Sequence, residues 1–278
     1  MYFLPDSFLD ELLAEDIPYG DLTMRLLGAD HRTGRVECFL KADGVVAGAE
    51  IAERLFQKVG LATHRTVRDG EVRSAGEVFL TAEGEAGRIH AVYKTAQNVM
   101  EYCSGIAQRA HAMVTAAQAV SPRCQVVTTR KHFPGTKCLS LYAAQAGGAL
   151  VHRTGLSESV LVFDQHRVFC DDFLATLSEM AARDPERKIA VEAGTIDEAL
   201  AFAEHGAHIV QCEKMPPDVF AELVRAVRTH YPDVLISAAG GVKAENAAAY
   251  ALAGADFLVT TWPYFGRPAD VKMRISAA

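Results

Sequence analysis

Residues 188–192, 208–212, 234–238 and 256–260 read KIAVE, HIVQC, VLISA and DFLVT, and helical patterns separate them. Two further apolar runs, QVVTT at 125–129 and VLVF at 160–163, precede this series. Short apolar strands that alternate with helices are typical of parallel sheets with right-handed crossovers. The pattern therefore predicts six β/α units that curl into an α/β barrel, with an open doubly wound sheet as the alternative.

The residues before this series have a different rhythm, which indicates a separate α+β region. Asp6 to Glu15 reads as an amphipathic helix, and the run from Arg35 to Lys41 alternates apolar and charged residues as a strand does. A long Ala-rich helical pattern runs from Gly87 to about Val120 and links the two regions. We expect an N-terminal domain at 1–104, joined by 266–278, and a barrel domain at 105–265.

The composition of the chain indicates which kinds of partner and which cellular compartment to expect. The net charge of −7 argues against nucleic acid as the main partner, because binding of the phosphate backbone needs a broad basic face. The six cysteines form no C-x-x-C pair, which favours reduced core residues over zinc ligands or disulfides. The chain has neither a signal-type segment nor an unbroken apolar run of membrane-spanning length. We expect a cytoplasmic protein that does not insert into membranes.

One stretch of this acidic chain carries only positive charge. From Tyr102 to Ser157 the sequence has no Asp or Glu, whereas basic residues are frequent. An Ala-rich helical face that simply lacks acids is the plainer interpretation, and an anion-binding site is the functional one. The basic residues of the stretch are Arg109, Arg123, Arg130, Lys131, Lys137 and Arg153.

Residues that directly follow the predicted strands form a coherent polar set, and ligands of parallel α/β folds lie at these strand ends. Gly240-Gly241 would let backbone N–H groups approach a phosphate, although glycines of an ordinary turn give the same pattern. Glu192 and Glu213 end two neighbouring strands and could bind Mg²⁺ together with ligand phosphates, or could be solvated acids. His152 is either a core histidine or a ligand contact.

Three segments, TRKHFPGTK at 129–137, GGALVHRTGL at 147–156 and the AGGV that ends at Val242, resemble signature segments of the quinolinate phosphoribosyltransferase superfamily. EDIPYGDLT and the KTAQNVMEYCSGIA that begins at Lys94 resemble that superfamily's N-terminal and inter-domain helices. The resemblance spans almost the whole chain. It implies an N-terminal α/β sandwich, an open α/β barrel and a homodimer whose active sites are shared between subunits.

The resemblance also implies an activity and the residues that perform it. The expected activity is transfer of phosphoribosyl from 5-phosphoribosyl-1-pyrophosphate to an anionic N-heteroaromatic acceptor, with Mg²⁺ as cofactor and release of pyrophosphate. Lys131, Glu192 and Glu213 would be catalytic, and the two glutamates would bind the metal. The implied substrate-binding residues are Lys94 (from the partner subunit), Arg130, Lys131, Lys137, His152, Arg153 and Lys214. The implied phosphate-binding residues are Ala239, Gly240, Gly241, Thr260 and Thr261.

Departures from the superfamily's pattern concern the acceptor. Quinolinate enzymes read LIKDNH where this chain reads LVFDQH at 161–166, so Phe163 replaces a lysine. This change, SAAGG at 237–241 and TWPYFG at 261–266 resemble a subgroup of pyrophosphorylases associated with molybdate transport. A transferase of that subgroup is our leading hypothesis. A quinolinate enzyme of NAD biosynthesis and a noncatalytic anion-binding protein on the same fold are the alternatives.

Overall fold

The computed structural model describes residues 4–278, and the chain forms two compact units. The first unit comprises the described residues up to His111 together with 133–148 and 263–278, and the second comprises 112–132 and 149–262. The helices are α1 (Asp6–Asp16), α2 (Leu22–Leu27), α3 (Ala49–Lys58), α4 (Ala86–Val120), α5 (Lys137–Ala146), α6 (Asp164–Arg167), α7 (Phe173–Arg183), α8 (Ile196–Glu204), α9 (Pro217–His230) and α10 (Ala244–Leu252).

Strands in the first unit are β1 (Thr33–Leu40), β2 (Gly44–Val45), β3 (Ala62–Arg65), β4 (Val72–Arg73) and β5 (Val78–Glu85). In the second unit they are β6 (Gln125–Thr128), β7 (Leu150–Val151), β8 (Val160–Val162), β9 (Ile189–Ala193), β10 (Ile209–Glu213), β11 (Leu235–Ala239) and β12 (Phe257–Thr260). The chain ends in β13 (Val271–Ala277) of the first unit.

The first unit is an α/β sandwich around an antiparallel sheet in the order β13-β1-β5-β3. In β1, Val36, Cys38 and Leu40 are buried and alternate with partly exposed residues, as the sequence pattern predicts. Helix α3 packs on this sheet through Ile51 and Leu55, which are buried. The chain therefore has a hydrophobic core ahead of the barrel, as expected.

Helix α4 is unbroken from Ala86 to Val120, so the predicted long helix is confirmed. Gly105 lies in its middle without interrupting it. A Cβ at this position would lie 2.9 Å from the carbonyl oxygen of Arg267, within the same unit. The glycine is thus explained by close packing of backbone against the helix.

The second unit contains a parallel sheet of seven strands in the order β7-β6-β12-β11-β10-β9-β8. Its two edge strands, β7 and β8, follow one another in the chain, which gives the open barrel that the sequence predicts. Six of the strands match the six apolar runs, and the two-residue strand β7 is additional. No helix within residues 4–278 combines the length and the apolar character needed to cross a membrane.

Helix boundaries in the barrel follow local chemistry. The Thr195 hydroxyl accepts a hydrogen bond from the backbone N–H of Glu198 at 3.1 Å and caps α8. Pro217 occupies the first turn of α9, where its missing N–H costs nothing. These signals start the helices directly after the strand ends and so place the strand-end residues at one edge of the sheet.

Candidate functional site

A cavity of about 910 Å³ opens at the carboxyl ends of the barrel strands, within the second unit. Its size suits a small-molecule ligand. Five cationic and three acidic side chains line it, so the cavity is positive although the chain is acidic. These charged residues are Arg130, Lys131, Arg153, Lys214 and Lys243, and Asp164, Glu192 and Glu213.

Most of the site residues predicted from the sequence line this one cavity. Those that it brings together are Arg130, Lys131, His152, Arg153, Glu192, Glu213, Lys214, Ala239, Gly240, Gly241, Thr260 and Thr261. Lys94 and Lys137 belong to the first unit, where Lys94 lies on α4 and Lys137 is the first residue of α5. The Lys94 ammonium donates to Gln97 Oε1 at 2.9 Å.

Arg153 is the most unusual charge in the cavity, because it is only 7% exposed. Its Nη1 donates to the carbonyl oxygen of Ser159 at 3.4 Å, and the guanidinium lies 6.0 Å from the ring centroid of Phe163. Within residues 4–278 no carboxylate comes within 4.0 Å of it. The pKa of Arg153 is lowered, mainly by burial and to a smaller extent by the charge of Arg130. An anionic ligand group would complete this arginine's interactions.

His152 and Phe163 complete what we call the buried corner, made of His152, Arg153 and Phe163. Burial first, and then Arg153, lower the pKa of His152, so that the neutral imidazole is favoured. The Phe163 ring stacks on His166 with centroids 5.6 Å apart and an interplanar angle of 17°. The corner therefore presents one desolvated guanidinium, one neutral imidazole and one aromatic face.

Opposite charges gather at the strand-end rim, which we define as Glu192, Glu213, Lys214, Gly240 and Gly241. Glu192 lies near the end of β9 and Glu213 ends the neighbouring strand β10. Burial first, and then the charge of Glu213, raise the pKa of Glu192. A cation between these two carboxylates would reduce their repulsion.

The backbone of the rim is tightly built. Lys214 has φ of 53°, the only positive φ of a non-glycine residue within residues 4–278, and its N–H donates to the carbonyl oxygen of Ala239 at 2.8 Å. Gly240 has φ of 79°, and a Cβ there would lie 2.6 Å from Lys214 Cγ and 2.8 Å from Glu213 Oε1. Both its positive φ and the lack of space for a Cβ therefore require glycine at position 240. Backbone strain of this kind persists only where the surrounding structure imposes it.

Gly241 and the start of α10 form the part of the rim that suits a phosphate. Gly241 also has positive φ, of 79°, but a Cβ there would meet no atom within 4 Å. The amide of Asn246 donates to the Gly241 carbonyl oxygen at 3.1 Å and holds the loop against α10. The Lys243 side chain does not cap α10, and at the helix N-terminus the Asn246 Oδ1 accepts a hydrogen bond from the Lys243 N–H at 2.8 Å. The open side of the loop and the helix N-terminus can accept an anion.

Thr260 contributes less to the cavity than the sequence prediction implies. Its hydroxyl donates to the carbonyl oxygen of Val242 at 2.7 Å and accepts from the N–H of Trp262 at 3.0 Å, and the side chain is 3% exposed. Thr261 is half-buried, and the Thr129 hydroxyl lies 3.4 Å from its hydroxyl. The Thr260 hydroxyl therefore shapes the loop, and Thr261 offers the accessible hydroxyl.

The cavity also contains polar residues that strand-end reasoning missed. Thr129, Asp164, Gln211, Lys243 and Trp262 line it. Gln211 precedes the strand end by two residues, and because side chains alternate along a strand it faces the same way as Glu213. That alternation is the signal by which the sequence could have identified it.

Two family models together match most of the chain. The family model described as quinolinate phosphoribosyl transferase, C-terminal domain, matches residues 106–274, and the one described as its N-terminal domain matches residues 21–104.

Curated relatives extend over the same length. A protein of Escherichia coli O157:H7 named pyrophosphorylase ModD is 33% identical over 100% of this chain and 99% of its own length. A Rhodobacter capsulatus protein of the same name is 41% identical over 89% of this chain and 96% of its own length. A Synechocystis protein named nicotinate-nucleotide pyrophosphorylase (carboxylating) is 31% identical over 99% of this chain and 93% of its own.

Solved structures share the fold. NadC from Streptococcus pyogenes superposes with a TM-score of 0.91 at 21% identity, and the match covers 100% of both chains. The chain therefore has the fold of this solved structure.

Proposed function

The chain belongs to the quinolinate phosphoribosyl transferase family and is a phosphoribosyltransferase, and we propose that it uses 5-phosphoribosyl-1-pyrophosphate and an anionic N-heteroaromatic acceptor. In this reaction the bond between ribose C1′ and a pyrophosphate oxygen breaks, and pyrophosphate leaves with its electron pair. A ring nitrogen of the acceptor forms the new bond to C1′. Positive charge develops on the sugar while negative charge develops on the leaving group.

The buried Arg153 carries the acceptor side of the proposal. A charged side chain in a protein interior is costly unless a partner of opposite charge compensates it. A carboxylate on the acceptor would supply that partner, and the guanidinium fork suits it geometrically. Neutral His152 can donate a hydrogen bond to the same group, and Phe163 offers a face for an aromatic ring.

The strand-end rim carries the donor side. The Gly240-Gly241 loop and the N-terminus of α10 would hold the 5′-phosphate. Glu192 and Glu213 would face the ribose, where carboxylates accept hydrogen bonds from hydroxyls and stabilise developing positive charge. Lys131 and Lys214, both exposed in the cavity, would attract the pyrophosphate.

The residues also fit a Mg²⁺ ion. Glu192 and Glu213 lie at the ends of adjacent strands, and the pKa of Glu192, raised by burial first and then by the charge of Glu213, supports a cation between them. Within residues 4–278 no group of three or more His, Cys, Asp or Glu side chains could hold a metal without a ligand. Mg²⁺ in phosphate sites needs only one or two carboxylates, since the substrate's phosphates complete its shell. When bound, Mg²⁺ would stabilise the charge of the departing pyrophosphate.

The acceptor that we propose is one other than quinolinate. Phe163 stands in the buried corner, 6.0 Å from the Arg153 guanidinium, and brings no charge for a second carboxylate. Relatives named pyrophosphorylase ModD match over the full chain, and we propose for this chain the link with molybdate transport that its sequence resemblance suggests. The position of the gene in its genome tests this link. Neighbouring molybdate transporter genes would support it, and neighbouring genes of NAD biosynthesis would contradict it.

Quinolinate turnover tests the choice of acceptor directly. The Synechocystis relative is named for nicotinate-nucleotide synthesis, and its similarity favours a quinolinate enzyme as the second candidate. We expect weak or absent formation of nicotinate mononucleotide from quinolinate by the pure protein. Robust turnover would establish the second candidate in place of the first.

We further propose that the protein acts as a homodimer whose active site receives Lys94 from the partner subunit. Lys94 is exposed, and within residues 4–278 its ammonium contacts two neutral groups, Gln97 and the Tyr93 ring, and no carboxylate. A monomeric variant should lose acceptor binding while it keeps affinity for the donor. Unchanged acceptor affinity in the monomer would contradict a shared site.

Calorimetric titration with 5-phosphoribosyl-1-pyrophosphate, with and without Mg²⁺, tests the central proposal. Mg²⁺-dependent binding supports it and justifies a screen of acceptors by pyrophosphate release. Double replacement of Glu192 and Glu213 by Gln should abolish both the binding and the turnover. Absence of donor binding by the unmodified protein would overturn the proposal.

A further inference from the structure

Beside Glu192, on the neighbouring strands, lie two polar side chains that the proposed reaction does not use, Gln211 and Ser237. Register pairs Glu192 with Gln211 and Gln211 with Ser237 across three parallel strands, β9, β10 and β11. Side chains at paired positions of neighbouring strands lie on the same face of the sheet. Gln211 is 4% exposed and lines the cavity, and Ser237, its partner in the register, is fully buried.

Gln211 makes one hydrogen bond and lacks another. Its Nε2 donates to Glu192 Oε2 at 3.4 Å. A carboxylate oxygen only accepts, so the amide must point its nitrogen toward Glu192 and its oxygen away. That oxygen, Oε1, is buried without a hydrogen-bond partner, and the neighbouring Ser237 Oγ is likewise buried and unpartnered.

Two unsatisfied polar atoms on paired residues of neighbouring strands reduce the stability of the fold, because each has lost its hydration without a replacement hydrogen bond. Buried water commonly resolves such a deficit, since one molecule can bind two to four polar groups. A water can donate to Gln211 Oε1 and accept from the Ser237 hydroxyl at once. No other group supplies a donor to Gln211 Oε1 within residues 4–278.

We propose that an ordered internal water binds Gln211 Oε1 and Ser237 Oγ, and that Gln211, held in this way, is a positioning residue for the Glu192 carboxylate. The water restrains the amide, and the amide restrains the carboxylate through Nε2. Glu192 also faces the charges of Glu213, Lys131 and Lys214, which could otherwise draw it into other rotamers. Residues that support a ligand-binding carboxylate from behind commonly contribute strongly to its affinity.

The inference rests on the proposed function only in that Glu192 is taken to act on the donor. A crystal structure of the full chain tests the water independently of any activity. Density for a water within hydrogen-bond distance of both Gln211 Oε1 and Ser237 Oγ is the expected result. A dry floor, or an amide turned away from Glu192, would overturn the inference and would leave the proposed function untouched.

Affinity for 5-phosphoribosyl-1-pyrophosphate in the presence of Mg²⁺ tests the positioning role. Gln211→Met keeps the length of the side chain but removes the amide, and we expect a loss of about 10-fold in donor affinity. Ser237→Ala should cause a smaller loss of the same sign, because the amide remains but is less restrained. Gln125→Met is the control: Gln125 is in register with Phe257 and through it with Ser237, but it is half-buried and donates to the carbonyl oxygen of Arg123 instead.

The outcomes separate positioning from mere packing. A structural role would lower the melting temperature of Gln211→Met without changing donor affinity, and that result would refute the positioning role. Equal losses in Gln211→Met and Gln125→Met would refute it as well. If the unmodified protein does not bind the donor, the proposed function fails and the crystal structure alone decides on the water.

Discussion

The buried corner and the strand-end rim line the same cavity, but they hold their charges in different surroundings. Arg153 in the corner is buried without a carboxylate partner, whereas Lys214 in the rim is exposed and lies 3.5 Å from Glu213. Desolvated charge discriminates strongly between ligands, because an unmatched ligand leaves it uncompensated, whereas exposed charge mainly attracts. The comparison indicates that acceptor selectivity resides in the corner and general anion attraction in the rim.

Loss of Arg153 is expected to have the largest effect on activity. Arg153→Met should lower kcat/KM for the acceptor by about 100-fold, equivalent to about 2.7 kcal/mol, because the buried partner of an anionic group is removed. Donor affinity should remain unchanged, and stability should not fall, since an uncompensated buried charge is removed. Pyrophosphate release and donor calorimetry measure the two effects.

The exposed Arg130 provides the matched control for Arg153. Arg130→Met should cost clearly less, about 10-fold or below, because solvent already screens that charge. Equal losses from the two substitutions, or loss of donor affinity in Arg153→Met, would break the division between corner and rim.

Within the rim, Gly240 and Gly241 separate steric fit from backbone strain. Gly240→Ala should lower the free energy of unfolding by about 3 kcal/mol, because its Cβ would meet the backbone nitrogen of Lys214 at 2.8 Å as well as adopt positive φ. Gly241→Ala shares the positive φ without a clash and should cost about 1 kcal/mol. Urea unfolding of both variants measures the difference, and similar costs would show that the close approach at Gly240 can relax.

The ionised Glu192 carboxylate is expected to lower the free energy of unfolding at neutral pH. Since burial and then Glu213 raise its pKa above the usual 4.5, the ionised carboxylate costs stability at neutral pH and the cost disappears below its unfolded pKa. Glu192→Gln should therefore raise the melting temperature at about pH 7 but not in acid.

Glu198 is the control of opposite sign. Burial opposes its ionisation, but hydrogen bonds from Gly194 N–H and Arg167 prevail and lower its pKa. Glu198→Gln should therefore lower the melting temperature at about pH 7. A loss of stability in Glu192→Gln at that pH would show that the carboxylate is already compensated.

The smallest expected effect concerns His152 in the corner. Burial and Arg153 lower its folded pKa below 6.5, so the unfolded chain binds the proton more readily. Its contribution to stability is present above the unfolded pKa and is lost as the pH falls below it. The wild type should lose more unfolding free energy between about pH 7.5 and about pH 5.5 than His152→Gln does. Equal losses in urea titrations would place the imidazole in solvent.

Local sequence patterns predicted most strands of the barrel. Each of the six apolar runs became a strand within a residue or so of its predicted bounds, because strand periodicity and helix caps depend on near neighbours in sequence. The additional strand β7, Leu150–Val151, is too short to show any periodicity. It places His152 and Arg153 directly after a strand end, which explains why both reach the cavity.

Strand-end position and the family resemblance together predicted twelve residues of the cavity's lining, but their roles stay predictions. The Thr260 hydroxyl turned out to be bonded to the Val242 carbonyl oxygen, a contact formed across a loop that no sequence spacing encodes. The domain limits, the roles of Lys94 and Lys137 and the Mg²⁺ site stay predictions. Gln211 was overlooked because it lies inside a strand, and only its register with Glu192 and Ser237 makes it functional in our interpretation.

The sequence by itself determined the fold class, the family and the positive character of the strand ends, since these depend on periodicity, motif and composition. Only the tertiary structure decided that Arg153 is buried and unpaired while Arg130 is exposed, although both are arginines at strand ends. Desolvation depends on what the rest of the chain packs around a side chain. For that reason the difference between a selective charge and a merely attractive one appears only in three dimensions.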